Sequence, residues 1–143
     1  MKYLDMEGLA YFWEKAKPQL GQQSVLWEGG SFMNGSQSVD LSSSPISQQP
    51  NGIVLLFSTY ESNASQNYNW HSFFIPKTFV TKQSGNGVLF PMFTRNFGSV
   101  GNKYLYISDT KITGHADNTA TGTGSSGIKY ANNAWVLRYV IGI

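Results

Sequence analysis

Three groups of residues in this 143-residue chain could take part in chemistry, and the first is a glycine-rich loop. The loop is GTGSSG, Gly122–Gly127, and it matches the G-x-G-x-x-G pattern of dinucleotide-binding loops. Such a loop needs a buried strand before it, a helix after it and an acidic residue about 20 residues further on. Here the loop-like ADNTAT precedes the motif, and IKYANNAW leads from it into a strand. The sequence therefore predicts a mobile glycine-rich loop between two strands that does not bind a nucleotide.

The two histidines, His71 and His115, form the second group. A Ser-His-acid triad needs a positioned serine, and the chain has no G-x-S-x-G elbow. Asp109 and Asp117 are the acids near His115, and their oxygens could join it around a hard cation. Because the spacing of these possible ligands is not dense, we expect Asp109 and Asp117 to be ordinary acids of turns. We expect no metal, no cofactor and no enzymatic activity. A cell-wall hydrolase stays an alternative, since paired carboxylates meet only in the fold.

The third group lies in the segment TYESNASQNYNWHSFFIP, where aromatic side chains surround a loop rich in Asn, Ser and Gln. Aromatic faces stack on the apolar faces of sugar rings, and amides make directional hydrogen bonds to hydroxyls. This pattern predicts a glycan site, whose second wall would come from the residues after VLFPMFT. The candidate residues are Tyr60, Tyr68, Trp70, His71, Arg95 and Asn96. Alternatively, Trp70 and His71 only begin a strand, with Trp70 in the core.

Composition indicates a β-rich domain with many loops. The chain is 41% hydrophobic and 15% aromatic but only 13% charged, and Ser, Asn, Gly and Thr make up more than a third of it. The net charge is +2 without a Lys/Arg run, so a nucleic-acid partner is not expected. Cysteine is absent, and neither a membrane span nor a signal peptide is apparent.

The N-terminal residues 4–17 predict the one convincing helix. Asp5 is a suitable N-cap and Pro18 ends the helix. One apolar stripe contains Met6, Leu9, Ala10, Trp13 and Ala16, and Phe12 widens it. A lone helix of about 13 residues is marginal in water, so the stripe must pack on the domain's own core or on the same helix of other chains. We divide the chain into this element, 1–20, and a β-domain, 21–143.

After residue 21 the pattern changes to short strands separated by turns, which predicts an antiparallel β-sandwich or jelly roll. The predicted strands are Val25–Glu28, Ser38–Leu41, Ile53–Tyr60, Trp70–Ile75, Val88–Thr94, Lys103–Ile107, Lys111–His115 and Trp135–Ile143. IVLLFSTY and WVLRYVIGI are apolar on both faces, so something must cover each side. A subunit interface is one solution. The predicted oligomerisation residues are Leu9, Phe12, Trp13, Val136 and Val140.

Two stretches together resemble a known family. MKYLDMEGLAYFWEKAK resembles the opening of tail-associated structural proteins from phages and prophages of Gram-positive bacteria. LWEGG, QQPNGIVLLFS, KYLYISDTKITGHADN and YANNAWVLRYVIGI are similar to the C-terminal modules of these proteins. The resemblance covers most of the chain, although it lacks the long shoulder and neck regions of fibre proteins.

The resemblance implies a virion tail or baseplate component, made in the bacterial cytoplasm and released by lysis. Such proteins are usually homotrimers that contact other tail proteins. Their β-sandwich heads commonly bind cell-wall polysaccharide or teichoic acid, often between subunits. We therefore expect a receptor-binding head domain without enzymatic activity or membrane insertion. A purely architectural tail protein and a bacterial carbohydrate-binding module are the alternatives.

Overall fold

The computed structural model describes residues 5–16, 22–95 and 98–143. Over these residues the chain is mainly β, and two packed sheets follow an N-terminal helix, which confirms the predicted fold class. The helix α1 (Met6–Ala16) lies within the predicted range, and both ends of that range, residues 4 and 17, lie outside the described residues. The amide of Gly8 donates to the Asp5 carboxylate at 2.6 Å, so Asp5 caps the helix as expected.

The strands that follow include all eight of the predicted ones. In chain order the strands are β1 (Ser24–Ser31), β2 (Ser38–Asp40), β3 (Gly52–Glu61), β4 (Ala64–Ser65), β5 (His71–Pro76), β6 (Asn86–Phe93), β7 (Val100–Ile107), β8 (Lys111–Thr113), β9 (Thr121–Thr123), β10 (Lys129–Ala131) and β11 (Trp135–Gly142). The strands not predicted are β4, β9 and β10, each of two or three residues, which is too short to show a period of two.

A second helix, α2 (Lys77–Gln83), was also not predicted. It has seven residues, so its sequence offers barely two turns of helical pattern. Pro76 precedes it with extended backbone angles, and Val80 is its buried residue. Because a proline suits the beginning of a helix, Pro76 was the available signal for this element.

Long strands form the centre of each sheet, β3 and β11 in sheet 1 and β7 in sheet 2. In sheet 1, β11 lies between β1 and β3, and β3 also pairs with β4 and β5. In sheet 2, β7 pairs with β6 along its whole length and with β8 and β10 at its two ends. Among the described strands every pairing is antiparallel except that of β10 with β7, where Tyr130 lies beside Val100.

The core fills the space between the sheets. Phe57 of β3 and Phe73 of β5 come from sheet 1, and both contact Phe90 of β6 in sheet 2. The Phe73 and Phe90 ring centres are 5.1 Å apart in an edge-to-face arrangement. The largest apolar side chains that are fully buried are Trp135, Phe57, Met33, Leu41, Ile46, Ile53, Leu55, Met92, Leu105, Ile107 and Ile112.

Strand β11 corrects the prediction that Val136 and Val140 contact another subunit. Both are buried within the single chain, at 1% and 0% exposure. A register shift between Leu137 and Tyr139 inserts one extra residue, Arg138, so that Val140 turns towards the core. Neither valine therefore offers a surface to a second copy.

Exposed apolar side chains remain on both sheets and on α1. On sheet 1, Val25 and Phe74 are 60% and 52% exposed. On α1 no residue is buried, and the predicted oligomerisation residues Leu9, Phe12 and Trp13 are all more than half exposed. Among the described residues, therefore, nothing buries the stripe of α1 on the domain's own core, which was one of its two expected positions.

Candidate functional site

The candidate glycan segment begins with a hairpin at the end of sheet 1. Ser62 and Asn63 join β3 to β4, and both have positive φ angles, 53° and 60°. Such angles at both central positions are typical of a type I′ turn, whose twist matches that of the strands. The chain then returns along β3, where Gln66 donates its amide to the carbonyl of Thr59 at 2.8 Å. Residues 61–70 thus form a folded extension of the sheet edge.

Arg138, the extra residue of β11, holds this extension in place. Its Nε donates to the carbonyl of Gly29 at 3.0 Å. Its Nη1 donates to Ser58 Oγ and to the carbonyl of Gln66, both at 3.2 Å. A longer contact of 3.4 Å reaches Asn67 Oδ1. One guanidinium therefore connects β1, β3 and the loop before Tyr68.

A cleft of about 260 Å³ opens beside the extension. Its lining combines hydroxyl, carboxylate, amide, guanidinium and aromatic groups, contributed by Thr59, Glu61, Tyr68, Asn69, Thr94 and Arg95. The Tyr68 hydroxyl donates to Glu61 Oε1, which orients both groups. Asn69 donates its side-chain amide to the carbonyl of Phe93 at 3.3 Å and so joins the two sheets at the cleft. This is the mixture of stacking surface and directional polar groups that was expected of a sugar site.

Tyr68 and Arg95 are the two predicted site residues that line this cleft. Both are exposed. Asn96, the predicted neighbour of Arg95, lies outside the described residues. The other lining residues, Glu61, Asn69, Thr59 and Thr94, were not predicted as site residues. The alternation of Thr59 and Glu61 on one face of β3 was the available signal for the first wall.

Trp70 belongs to a different surface. Its ring stacks on Tyr139 of β11, with ring centres 6.1 Å apart and planes inclined by 30°. The Arg138 guanidinium lies 5.5 Å from the Trp70 ring centre, within the range of a cation–π contact. Trp70 remains 41% exposed, so it is not the core residue of the alternative interpretation. It supports the loop from the outer side of sheet 1 and is not among the residues that line the cleft.

Tyr60 also lies away from the cleft. Because side chains alternate along a strand, Tyr60 projects from the opposite face to Thr59 and Glu61. Its ring packs edge-on against Phe32, at 4.6 Å between ring centres. The structure therefore assigns Tyr60 a packing contact and does not bring it to the other predicted residues.

His71 links the two sheets through both ring nitrogens. Nδ1 donates to the carbonyl of Asn69 at 3.2 Å, and Nε2 accepts the amide of Phe93 at 3.2 Å. This pattern requires the neutral imidazole. Burial lowers the pKa of His71, although the bond to the Asn69 carbonyl partly opposes the shift. With both nitrogens occupied by backbone groups, His71 positions the chain and has no free nitrogen for a ligand.

The acids near His115 do not form a cation site. Asp109 accepts from the amide and the hydroxyl of Ser47, both at 2.7 Å, and so fixes the short 3-10 segment Ile46–Gln48. Asp117 Oδ2 lies 3.6 Å from His115 Nδ1, and its side chain is 75% exposed. Among residues 5–16, 22–95 and 98–143, no group of three or more His, Asp or Glu side chains could hold a metal ion.

In the described part of the chain no helix has the length and apolarity to cross a bilayer. No protein-family model matches this sequence, and no curated protein shows significant similarity to it.

Proposed function

We propose that this chain is a non-enzymatic tail protein of a phage or prophage of Gram-positive bacteria, whose β-domain binds a host cell-surface glycan. The observation that supports this proposal most directly is the cleft beside Tyr68, which is lined by an exposed aromatic ring together with a carboxylate, an amide and a guanidinium. The resemblance of the sequence supplies the virion tail as the setting. The sandwich fold is compatible with that setting.

The groups of the cleft suit a polyhydroxylated ligand. The ring of Tyr68 offers an apolar face for a sugar ring, while Glu61 accepts hydrogen bonds from hydroxyls. Arg95 has no ion-pair partner among the described residues and can bind hydroxyls or a phosphate. The cleft therefore fits a neutral cell-wall polysaccharide, and Arg95 adds a contact for the phosphodiesters of a teichoic acid.

The test is binding of purified host cell-wall polysaccharide and teichoic acid to the full-length chain. We expect Tyr68→Ala and Arg95→Ala each to weaken binding about tenfold or more, the loss of one stacking or charge-assisted contact. Lys82→Ala, an exposed change on α2, is the matched control and should bind normally. Normal binding by both cleft variants, with unchanged thermal stability, would assign the glycan to another surface.

A purely architectural tail protein is the second candidate, and α1 favours it. Met6, Leu9, Phe12 and Trp13 form an exposed apolar surface on a helix that buries none of its own residues. Burial of this surface between copies of the chain would stabilise α1, because an isolated helix of this length is only marginally stable in water. We propose that α1 joins the chains into a homo-oligomer, with three copies as in the family it resembles. An architectural protein would form this oligomer and bind no cell-wall fraction, whereas a carbohydrate-binding module would bind as a monomer.

A further inference from the structure

A second cleft, with none of its lining residues in common with the first, lies on sheet 2. Its volume is about 400 Å³. The lining residues are Asn102, Asp117, Ala120, Tyr130 and Asn132. They come from β7, from β10 and from the loops that contain the 3-10 segments Ala116–Thr119 and Asn132–Ala134. Neither the glycan segment nor α1 contributes to it.

Asn132, which is 96% buried, connects the segments that line this cleft through hydrogen bonds. Its Oδ1 accepts the backbone amide of Asn102 at 2.9 Å, and its Nδ2 donates to the backbone carbonyl of Asp117 at 2.7 Å. Its own amide donates to the carbonyl of Ala120 at 2.9 Å. The side chain and the backbone amide of Asn132 together fix three walls of the cleft, so the cleft exists before any ligand arrives.

Tyr130 forms the remaining wall of the cleft, and its position explains why one residue of the GTGSSG motif is a glycine. Tyr130 and Gly122 are partners in the hairpin of β9 and β10. A Cβ atom on Gly122 would lie only 2.7 Å from the Tyr130 hydroxyl and 3.0 Å from its ring carbon Cζ. Because Gly122 has no side chain, the Tyr130 ring can lie across the neighbouring strand. The glycine therefore serves the position of an aromatic ring, as glycine–aromatic pairs do in other sheets.

Two polar groups of the cleft are left available. The Asp117 side chain is 75% exposed, and its Oδ2 lies 3.6 Å from Nδ1 of His115, which accepts the backbone amide of Asp117. The side-chain amide of Asn102 has no hydrogen-bond partner among the described residues. A carboxylate, an amide and a tyrosine ring around one rigid cleft can accept, donate and stack at the same time.

We propose that this cleft is a second, independent carbohydrate site, specific for a neutral sugar. One face of the sugar ring packs on Tyr130, and adjacent hydroxyls donate to Asp117 and accept from Asn102. The described residues that line this cleft include no lysine or arginine, so the Asp117 carboxylate would repel a phosphate or a uronic acid. The ligand class thus differs from that of the first cleft, where Arg95 can bind an anion.

The experiment is titration of the ¹⁵N-labelled full-length chain with the methyl glycosides of glucose, galactose, mannose, rhamnose and N-acetylglucosamine, and with glycerol 3-phosphate. At least one neutral glycoside should shift the amide signals of Gly122, Tyr130 and Asp117, with a Kd on the order of 10 mM or lower. Glycerol 3-phosphate should leave these three signals unchanged. Absence of neutral-glycoside shifts, or a response to glycerol 3-phosphate alone, would overturn the proposal.

Variants separate this site from the first cleft and from nonspecific effects. Asp117→Asn keeps the backbone carbonyl that Asn132 binds, and it should weaken the glycoside about tenfold. Tyr130→Ala should remove binding, and Tyr68→Ala should have no effect on these signals. Shifts that persist at wild-type affinity in Asp117→Asn would show that the cleft is not the site, even if Tyr130→Ala does not fold. Binding at Tyr68 alone would leave the first proposal intact and reject this one.

Discussion

Arg138 lies against two aromatic rings, with its guanidinium carbon 5.5 Å from the centre of Trp70 and 5.9 Å from the centre of Tyr139. The same guanidinium donates hydrogen bonds to the carbonyls of Gly29 and Gln66. A planar group with several fixed donors can stack and bind at once, which a lysine cannot. The bulge of β11 thus connects the core of sheet 1 to the loop that contains Tyr68.

The first prediction concerns this residue. Arg138→Lys keeps the charge but loses most of the donors, so we expect the free energy of unfolding to fall by about 1–2 kcal/mol. Faster amide hydrogen exchange should appear at Gln66 and Thr59, whose amides form the hydrogen bonds between β3 and the loop that the guanidinium holds. Denaturant unfolding and exchange monitored by NMR measure the two effects. Lys129→Arg, on an exposed strand, is the control. Unchanged exchange in the loop would refute the role assigned to Arg138.

The second prediction concerns acid stability and His71. Its pKa in the folded protein is lowered from 6.5 by burial, so below about pH 6.5 the unfolded chain binds more protons than the folded one. The free energy of unfolding should therefore fall as the pH drops through this range and level off below the folded-state pKa. Protonation of Nε2 also removes the acceptor for the Phe93 amide.

His71→Gln removes this titration. The wild-type chain should lose stability relative to His71→Gln as the pH falls from 7 to 5, measured by urea unfolding at each pH. If the unfolding free energies of the two proteins change in parallel with pH, the neutral state assigned to His71 is wrong.

The third prediction concerns Lys103, which is fully buried. Its ammonium donates to the carbonyls of Asn118 at 2.7 Å and Phe32 at 3.1 Å, and it lies 5.5 Å from the Phe32 ring centre. Burial lowers the pKa of Lys103 from 10.5 to about 7. Between these pH values the unfolded chain binds more protons, so the free energy of unfolding should rise with pH, by at most about 1.4 kcal/mol per unit.

Lys103→Met should lack this rise, because it keeps the aliphatic volume and removes the titrating group. The difference in unfolding free energy between wild type and variant, followed from pH 7 to pH 10, isolates Lys103 from the tyrosines. Lys111→Met, at an exposed position, should follow the wild-type curve. A constant difference between wild type and Lys103→Met would place the pKa of Lys103 outside this range.

The fourth prediction concerns α1. Light scattering after size exclusion should give the full-length chain a mass near three times its 15.8 kDa. Leu9→Glu combined with Trp13→Glu places charges on the exposed apolar surface and should produce the monomer. Glu14→Gln, an exposed polar change on the same helix, should leave the mass unchanged. A wild-type chain of 15.8 kDa would reject α1 as an oligomerisation element.

The sequence by itself determined the fold class and the position of the long elements. Strands such as β3 and β11 carry enough β-branched and aromatic residues to be recognised locally, and α1 has a capping residue and a helical stripe. The rejection of a nucleotide loop also needed only local pattern, since neither a buried strand before GTGSSG nor a helix after it was apparent. The first two residues of the motif belong to the short strand β9, and the remaining four form the turn towards β10. The shortest elements were missed because two or three residues define no period.

Only the tertiary structure decided which side chains share a site. Tyr60, Tyr68 and Trp70 are close in the sequence, yet a type I′ turn and the alternation of β3 place them on three different surfaces. The extra residue at Arg138 reversed the side of Val140, which a regular strand pattern could not reveal. The cleft at Tyr130 joins β7, β10 and a distant loop through the buried side chain of Asn132. Such contacts depend on how the sheets pair, and pairing between residues far apart in the chain leaves no local signal.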